Sequence, residues 1–206
     1  MTNKERMLAG EIYDPADASI LGEQTRCLER QYDYNVTRPG ESARRAALLK
    51  EMFLEIGEGC YIEPPLHANW GGAHVRLGDA VYANFGLTLV DDAEITIGSR
   101  TMIGPNVVIA TGAHPILPAL RARGLQYNLP VHIGEDVWIG AGALILPGVT
   151  IGAGSVIGAG AVVTHDIPAN VVAVGTPCRV VREIGERDRV FYARGRRIDP
   201  VWLDEE

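Results

Sequence analysis

The second half of the chain is apolar at every sixth position. Ile133, Ile139, Ile145, Ile151, Ile157 and Val163 stand one hexad apart, and Gly134, Gly140, Gly152 and Gly158 each follow one of them. A period of six fits neither an α-helix nor a simple alternating strand. It fits a parallel β-helix, in which a coil is a triangle and a hexad is one side. The aliphatic residue points into the prism, and the small residue beside it lets the backbone turn the corner.

The theme extends upstream through Leu77-Gly78, Leu89, Ile97-Gly98, Ile103-Gly104 and Ile109. A two-residue slip between Ile95 and Ile97 predicts a bulged corner. Between Ala113 and Val131 the repeat stops, and the stretch HPILPALRARGLQYNLP is too polar and too rich in proline for a coil. It predicts a loop over 114–130, thrown out from one corner and opening with His114. Long loops in compact domains are usually functional or disordered.

The first sixty residues lack the hexad. Ser19 to Tyr34 carries Leu21, Cys27, Leu28 and Tyr32 at loose helical spacing. Pro39 to Ile56 carries Leu48, Leu49, Met52, Phe53 and Ile56 on one stripe, with Gly57 and Gly59 to end it. A solenoid exposes apolar side chains and strand edges at an open end, so this segment is expected to cap it. The expected organisation is a helical cap over 1–59, a β-helix over 60–183 and an extension over 184–206. After Pro177 the chain reads as helical or extended and carries seven arginines, Arg179, Arg182, Arg187, Arg189, Arg194, Arg196 and Arg197.

Composition narrows the function. A net charge of −7 and a pI near 5.3 argue against a nucleic-acid groove. No apolar run is long enough to span a membrane. The opening MTNKERMLAGEIYD is too polar for a signal peptide. Cys27, Cys60 and Cys178 are scattered and odd in number, which points to a reducing cytoplasm.

The segments YANFGLTLVDD, GPNVVIATGAHPI, VHIGEDVWIGAGALILPGVTIG and VIGAGAVVTHDIPANVVAVGTPCRVVREI, with the opening AGEIYD, together resemble the galactoside/maltose O-acetyltransferase family. These are hexapeptide-repeat, acetyl-CoA-dependent acetyltransferases. The hexad is shared by many acyltransferases; the ordered set Asn84, Asp92, His114, Trp138 and Arg179 is more specific. The resemblance implies a left-handed coil, a homotrimer, acetyl-CoA as donor, no metal, and direct attack in a ternary complex.

Moving acetyl from a thioester to a hydroxyl requires a base at that hydroxyl. Histidine can take the proton near neutral pH and return it to the departing thiolate. His114, in TGAHP, is the candidate. Backbone N–H groups in tight turns can stabilise the oxyanion. Neither a GxSxG elbow nor a Cys/His signature is visible. His67, His74 and His132 read as surface residues, and a zinc hydratase would need three convergent histidines.

Carried over residue by residue, the resemblance implies that Asn84 lies near the reacting atoms and that Asp92 and Asn69 bind the acceptor. Asp92 could instead satisfy a corner turn, and Asn84 could be a buried stack residue. The acidic contact that relatives place near the N-terminus falls on Pro15 here, between Asp14 and Asp17, and Asp17 is the substitute chosen. Gln126 stands where a close relative has an apolar residue. On the donor side Ala141, Gly142, Ala159 and Gly160 would admit the pantetheine arm against Trp138. Thr164, His165, Arg179 and Arg182 would hold the phosphates, with His165 in place of the usual lysine. Cys178 reads as structural. Two rivals remain: a xenobiotic O-acetyltransferase of the same fold and a non-enzymatic solenoid binder.

Overall fold

The computed structural model describes residues 1–203; the last three residues of the expected 184–206 extension lie outside them. Three short parallel strands per coil build a triangular prism. The first face stacks Glu55–Ile56, Val75–Leu77, Ile95–Ile97, Val131–Ile133 and Thr150–Ile151. The second stacks Tyr61–Ile62, Tyr82–Ala83, Met102–Ile103, Trp138–Ile139, Val156–Ile157 and Val171–Val174, and the antiparallel strand Arg179–Glu183 closes it. The third stacks His67–Ala68, Thr88–Val90, Val108–Ala110, Leu144–Ile145 and Val162–Val163.

Register follows from the hexad. Ile97 pairs with Ile133 and Ile133 with Ile151, so equivalent aliphatics stack down each inner wall and are fully or almost fully buried. Each such side chain removed from water contributes about 1.5–3 kcal/mol. The corners are as tight as the walls. A Cβ on Gly140 would stand 2.5 Å from the Ala159 nitrogen of the next coil, so only glycine allows that approach.

Ile95 and Ile97 do not mark a bulged corner. Both point inward from one three-residue strand with Thr96 between them, and their pairings run without a register shift. Strands of this length simply contribute two inward residues, by ordinary alternation.

The outer surfaces of the faces differ. The first presents Glu55, Arg76, Thr96, His132 and Thr150, with Arg76 bonded to Glu55 at 2.6 Å and Glu94 at 3.2 Å. The second presents Tyr82, Met102, Trp138 and Val156 in register. Met102 and Trp138 are each 54% exposed.

The cap has three helices: α1 (Asn3–Leu8), α2 (Ala18–Asn35) and α3 (Ser42–Met52). Helix α1 is not among the expected elements. Thr2 and Glu5 start it with a reciprocal capping box. Ile56 lies in the first strand, not at a helix end, because Phe53 already leaves helical geometry and closes α3. Tyr34, Leu49, Met52 and Phe53 join the main core. Asn35 clamps both the N–H and the carbonyl of Leu66, and the buried Arg45 reaches Tyr61 Oη at 2.8 Å. At the far end a short helix α5 (Glu186–Val190) and a hairpin over Phe191–Arg197 follow the antiparallel strand. Within the loop lies one turn of helix, α4 (Pro118–Arg121).

Candidate active site

The loop leaves the corner between the third and first faces and is tied at its base. Gly112–Ala113 pairs antiparallel with Tyr127–Asn128, so His114 emerges directly from a pinned strand. Its imidazole is exposed to solvent, and Nδ1 donates to the Leu125 carbonyl at 2.8 Å. A carbonyl only accepts, so Nδ1 carries a proton, and in the neutral ring the lone pair is left on Nε2. That is the tautomer a general base needs.

Asp92 lies at the same corner and is 5% exposed. Its Oδ1 accepts from the Trp70 indole and its Oδ2 from Asn69 Nδ2, both at 3.0 Å. The 69–72 turn that delivers these donors is itself held by Asp91, whose carboxylate accepts from the N–H groups of Trp70 at 2.7 Å and Gly72 at 2.9 Å. Burial pushes the Asp91 carboxyl up to about 6 despite those bonds.

Gln126 completes the cluster. A Cβ on Gly112 would lie 3.0 Å from Gln126 Nε2 and 3.1 Å from Asp92 Oδ2, so the two side chains meet over that glycine. Gln126 exchanges two backbone hydrogen bonds with Tyr13, which brings the cap onto the loop. Tyr13 is 2% exposed. Burial drives its phenol up to about 12, so it stays a neutral hydroxyl. Asn128 is fully buried among Met7, Tyr13, Asp92 and Gln126.

A second assembly sits at another corner, between the second and third faces. An open groove of about 490 Å³ is lined by Tyr82, Asn84, Met102, Trp138, Ala141 and Ala159. Its wall is mostly apolar and its corner residues are small. Asn84 is half-buried, and its Oδ1 accepts from the Phe85 N–H at 2.8 Å. Gly142 and Gly160 hold left-handed backbone, with φ of +68° and +66°, where a side chain is disfavoured.

Thr164 and His165 occupy the corner of His114, two coils further along, and bond to each other at 2.8 Å. His165 and Arg179 line a pocket of about 290 Å³ with Cys178, which is buried. Arg182 is engaged elsewhere: its guanidinium forks onto both oxygens of Asp188 at 2.7 and 2.8 Å.

One chain therefore brings His114, Asp92, Asn69 and Gln126 together, and separately brings Asn84, Trp138, Ala141 and Ala159 together. The third face lies between the two groups. Asp17 belongs to neither; it caps α2 through Ser19 and bonds Asn3. The Asn3 bond is the main reason its carboxyl falls to about 2. Asp14, by contrast, lines a cleft of about 500 Å³ beside Tyr13, Arg123 and Leu125.

His74 is not a plain surface residue, because it is half-buried against Trp70 with Nδ1 on the Asp91 carbonyl at 2.7 Å. His67 and His132 are exposed, and His132 bonds Thr96. Sequence reasoning missed Tyr13, Trp70, Asp91 and Asn128. The adjacent VDD carboxylates were a signal for Asp91. Nothing in the sequence marks the other three.

The comparisons with known proteins are consistent in kind. Residues 6–57 match the maltose acetyltransferase hexapeptide capping motif, and residues 130–165 match the bacterial transferase hexapeptide pattern of six repeats. A galactoside O-acetyltransferase of Lactococcus lactis subsp. lactis (strain IL1403) is 51% identical over 201 residues, covering 98% of this chain and 96% of that protein. A galactoside acetyltransferase solved in complex with coenzyme A superposes with a TM-score of 0.93 at 43% identity, covering 97% of this chain and 99% of that one. A maltose O-acetyltransferase from Clostridium difficile 630 gives a TM-score of 0.88 at 41% identity, covering 90% and 99%.

Proposed function

The chain belongs to the galactoside and maltose O-acetyltransferase family of hexapeptide-repeat acetyltransferases, and on that premise we propose that it transfers acetyl from acetyl-CoA to a hydroxyl of a sugar. The observation that carries the reading is the 2.8 Å contact of His114 Nδ1 with the Leu125 carbonyl, which in the neutral ring leaves the lone pair on Nε2.

In this reaction both substrates are bound together. Nε2 removes the acceptor's proton as its oxygen attacks the thioester carbon. The tetrahedral oxyanion collapses, the C–S bond breaks, and the imidazolium proton goes to the leaving thiolate. The products are an acetyl ester and coenzyme A, and no acyl-enzyme forms. Asp92 supports acceptor binding as a charged hydrogen-bond acceptor, with Asn69 and Gln126 beside it.

The apolar groove along Trp138, Ala141 and Ala159 suits a thin pantetheine arm, and Gly142 and Gly160 leave its edge open. Asn84, at the head of the groove, addresses the reacting end. Thr164, His165 and Arg179 suit the phosphates, with Arg179 as the planar fork. Arg182 joins them only if its pair with Asp188 opens.

The separation of the two groups across the third face supports a shared site. In a cyclic homotrimer His114 of one chain would face the Trp138 groove of its neighbour. Three free cysteines support a reducing, cytoplasmic setting. The test is a panel of sugars and other hydroxylated acceptors with purified protein and acetyl-CoA, read by thiol release. Sugar-dependent release is expected. Release with no acceptor in the panel would remove the proposal, and release confined to antibiotic hydroxyls would replace it with the xenobiotic reading.

A further inference from the structure

Asn128 is 0% exposed, and its side chain bonds to four residues, Met7 and Tyr13 of the cap, Asp92 of the coil and Gln126 of its own loop. Its Nδ2 lies 3.3 Å from the Asp92 carbonyl, 3.3 Å from Tyr13 Oη and 3.4 Å from the Met7 carbonyl, while its Oδ1 accepts from Gln126 Nε2 at 2.9 Å. Two N–H bonds serve three acceptors, so all three contacts are long and shared. Replacing this amide alone by an apolar group would strip the buried Asp92 carbonyl and the Gln126 side chain of their partner, so the amide contributes to stability. It contributes direction as well, because its bonds reach the cap, the Asp92 corner and the loop at once.

We propose that Asn128 is a positioning residue that fixes the His114 base relative to the Asp92 carboxylate. The path on the base side is short. Asn128 is paired with Gly112, Ala113 with Tyr127, and His114 follows Ala113. Leu125, whose carbonyl holds the imidazole, lies three residues before Asn128, two residues ahead of the return strand Tyr127–Asn128. On the acceptor side the amide of Asn128 links that strand to the Asp92 main chain. The amide is thus a cross-tie between the two halves of the acceptor site. Its bonds to Tyr13 and Met7 lock the cap onto the same point.

The inference rests on the acetyltransferase reading, and the experiment separates the two. Asn128→Leu keeps the branched outline of the side chain and removes the amide. We expect its acceptor kcat/KM to fall by roughly tenfold to a hundredfold, the scale of an ångström-sized misplacement. Coenzyme A affinity by calorimetry should stay within about twofold, because the groove lies at another corner. In a double-mutant cycle, adding Asn128→Leu to His114→Ala should cost much less than it does in wild type, since the group it orients is already gone.

Full multiplication of the two losses would overturn the proposal. So would retention of more than about half the wild-type kcat/KM, or an equal loss of donor binding. If Asn128→Leu does not fold, Asn128→Asp keeps the shape but cannot donate when ionised, and the same three criteria apply to it. A wild-type protein with no activity on any acceptor fails the functional reading instead, before either variant is made.

Discussion

The Leu125 carbonyl accepts the Nδ1 proton of His114 at 2.8 Å, across the neck of a loop that otherwise swings clear of the coil. This one bond selects the tautomer and aims the ring. His114→Ala should lower kcat by roughly a hundredfold or more, the scale of a lost general base. Coenzyme A affinity should be nearly unchanged. Steady-state kinetics on the best acceptor decide it: a variant that keeps most of its activity would place the base elsewhere.

The separation of His114 from the groove leads to an assembly test. Light scattering should report a trimer at micromolar concentration. Co-expressing His114→Ala with Ala141→Trp, which fills the groove, should restore about a quarter of wild-type sites, because a shared site then draws an intact base and an intact groove from different chains. Two inactive parents giving an inactive mixture would mean that each chain carries its own complete site.

His165 stands beside Arg179 where a lysine would be permanently charged. Histidine changes charge between pH 5 and 8, so coenzyme A should bind more weakly as pH rises through that range. His165→Lys should bind more tightly than wild type at pH 8 and show a flatter profile. Titration calorimetry at pH 6 and pH 8 checks both. Four equal affinities would leave His165 with no part in donor binding.

Asp91 makes a prediction about stability. In the fold its carboxyl titrates at about 6, against 3.8 for the ordinary group. The native state therefore holds an extra proton between those values, and stability from this group falls as pH rises through them. By about pH 7 the ionised group costs on the order of 3 kcal/mol relative to pH 3. Asp17, Glu23 and Asp136, whose carboxyls are lowered, contribute the opposite slope. Urea unfolding of wild type and Asp91→Asn must therefore be compared as a difference. That difference should move in favour of the asparagine variant between about pH 4 and 6 and then level off. A constant difference over that range would show that Asp91 does not titrate as described.

The coil was legible because its signal is redundant. One inward aliphatic per hexad recurs down each wall, and a single misread position does not change the register. The slip at Ile95 and Ile97 shows the limit, since a three-residue strand carries two inward residues and mimics an irregularity. Helix α1 hid for a different reason. Six residues cannot show an apolar stripe, and only the Thr2–Glu5 box betrays it. The cluster around His114 and Asp92 was half legible. His114 and Asp92 stand out by chemistry and by resemblance. Asn128 meets Met7 across 121 positions and Tyr13 across 115. No local pattern encodes such contacts; they arise only when the cap folds back on the loop.

The second face carries Tyr82, Met102, Trp138 and Val156 one above another, one per coil. Successive coils are a strand spacing apart, about 4.8 Å. The groove is thus graduated like a ruler, and its reach along the axis comes in whole coils. Inserting or deleting a coil would move His165 and Arg179 relative to His114 by one graduation, with no intermediate setting. The loop over 114–130 is under no such quantum. A scaffold of this kind would measure a donor lying along the groove in fixed steps, while leaving an acceptor held at the loop free to vary by single residues.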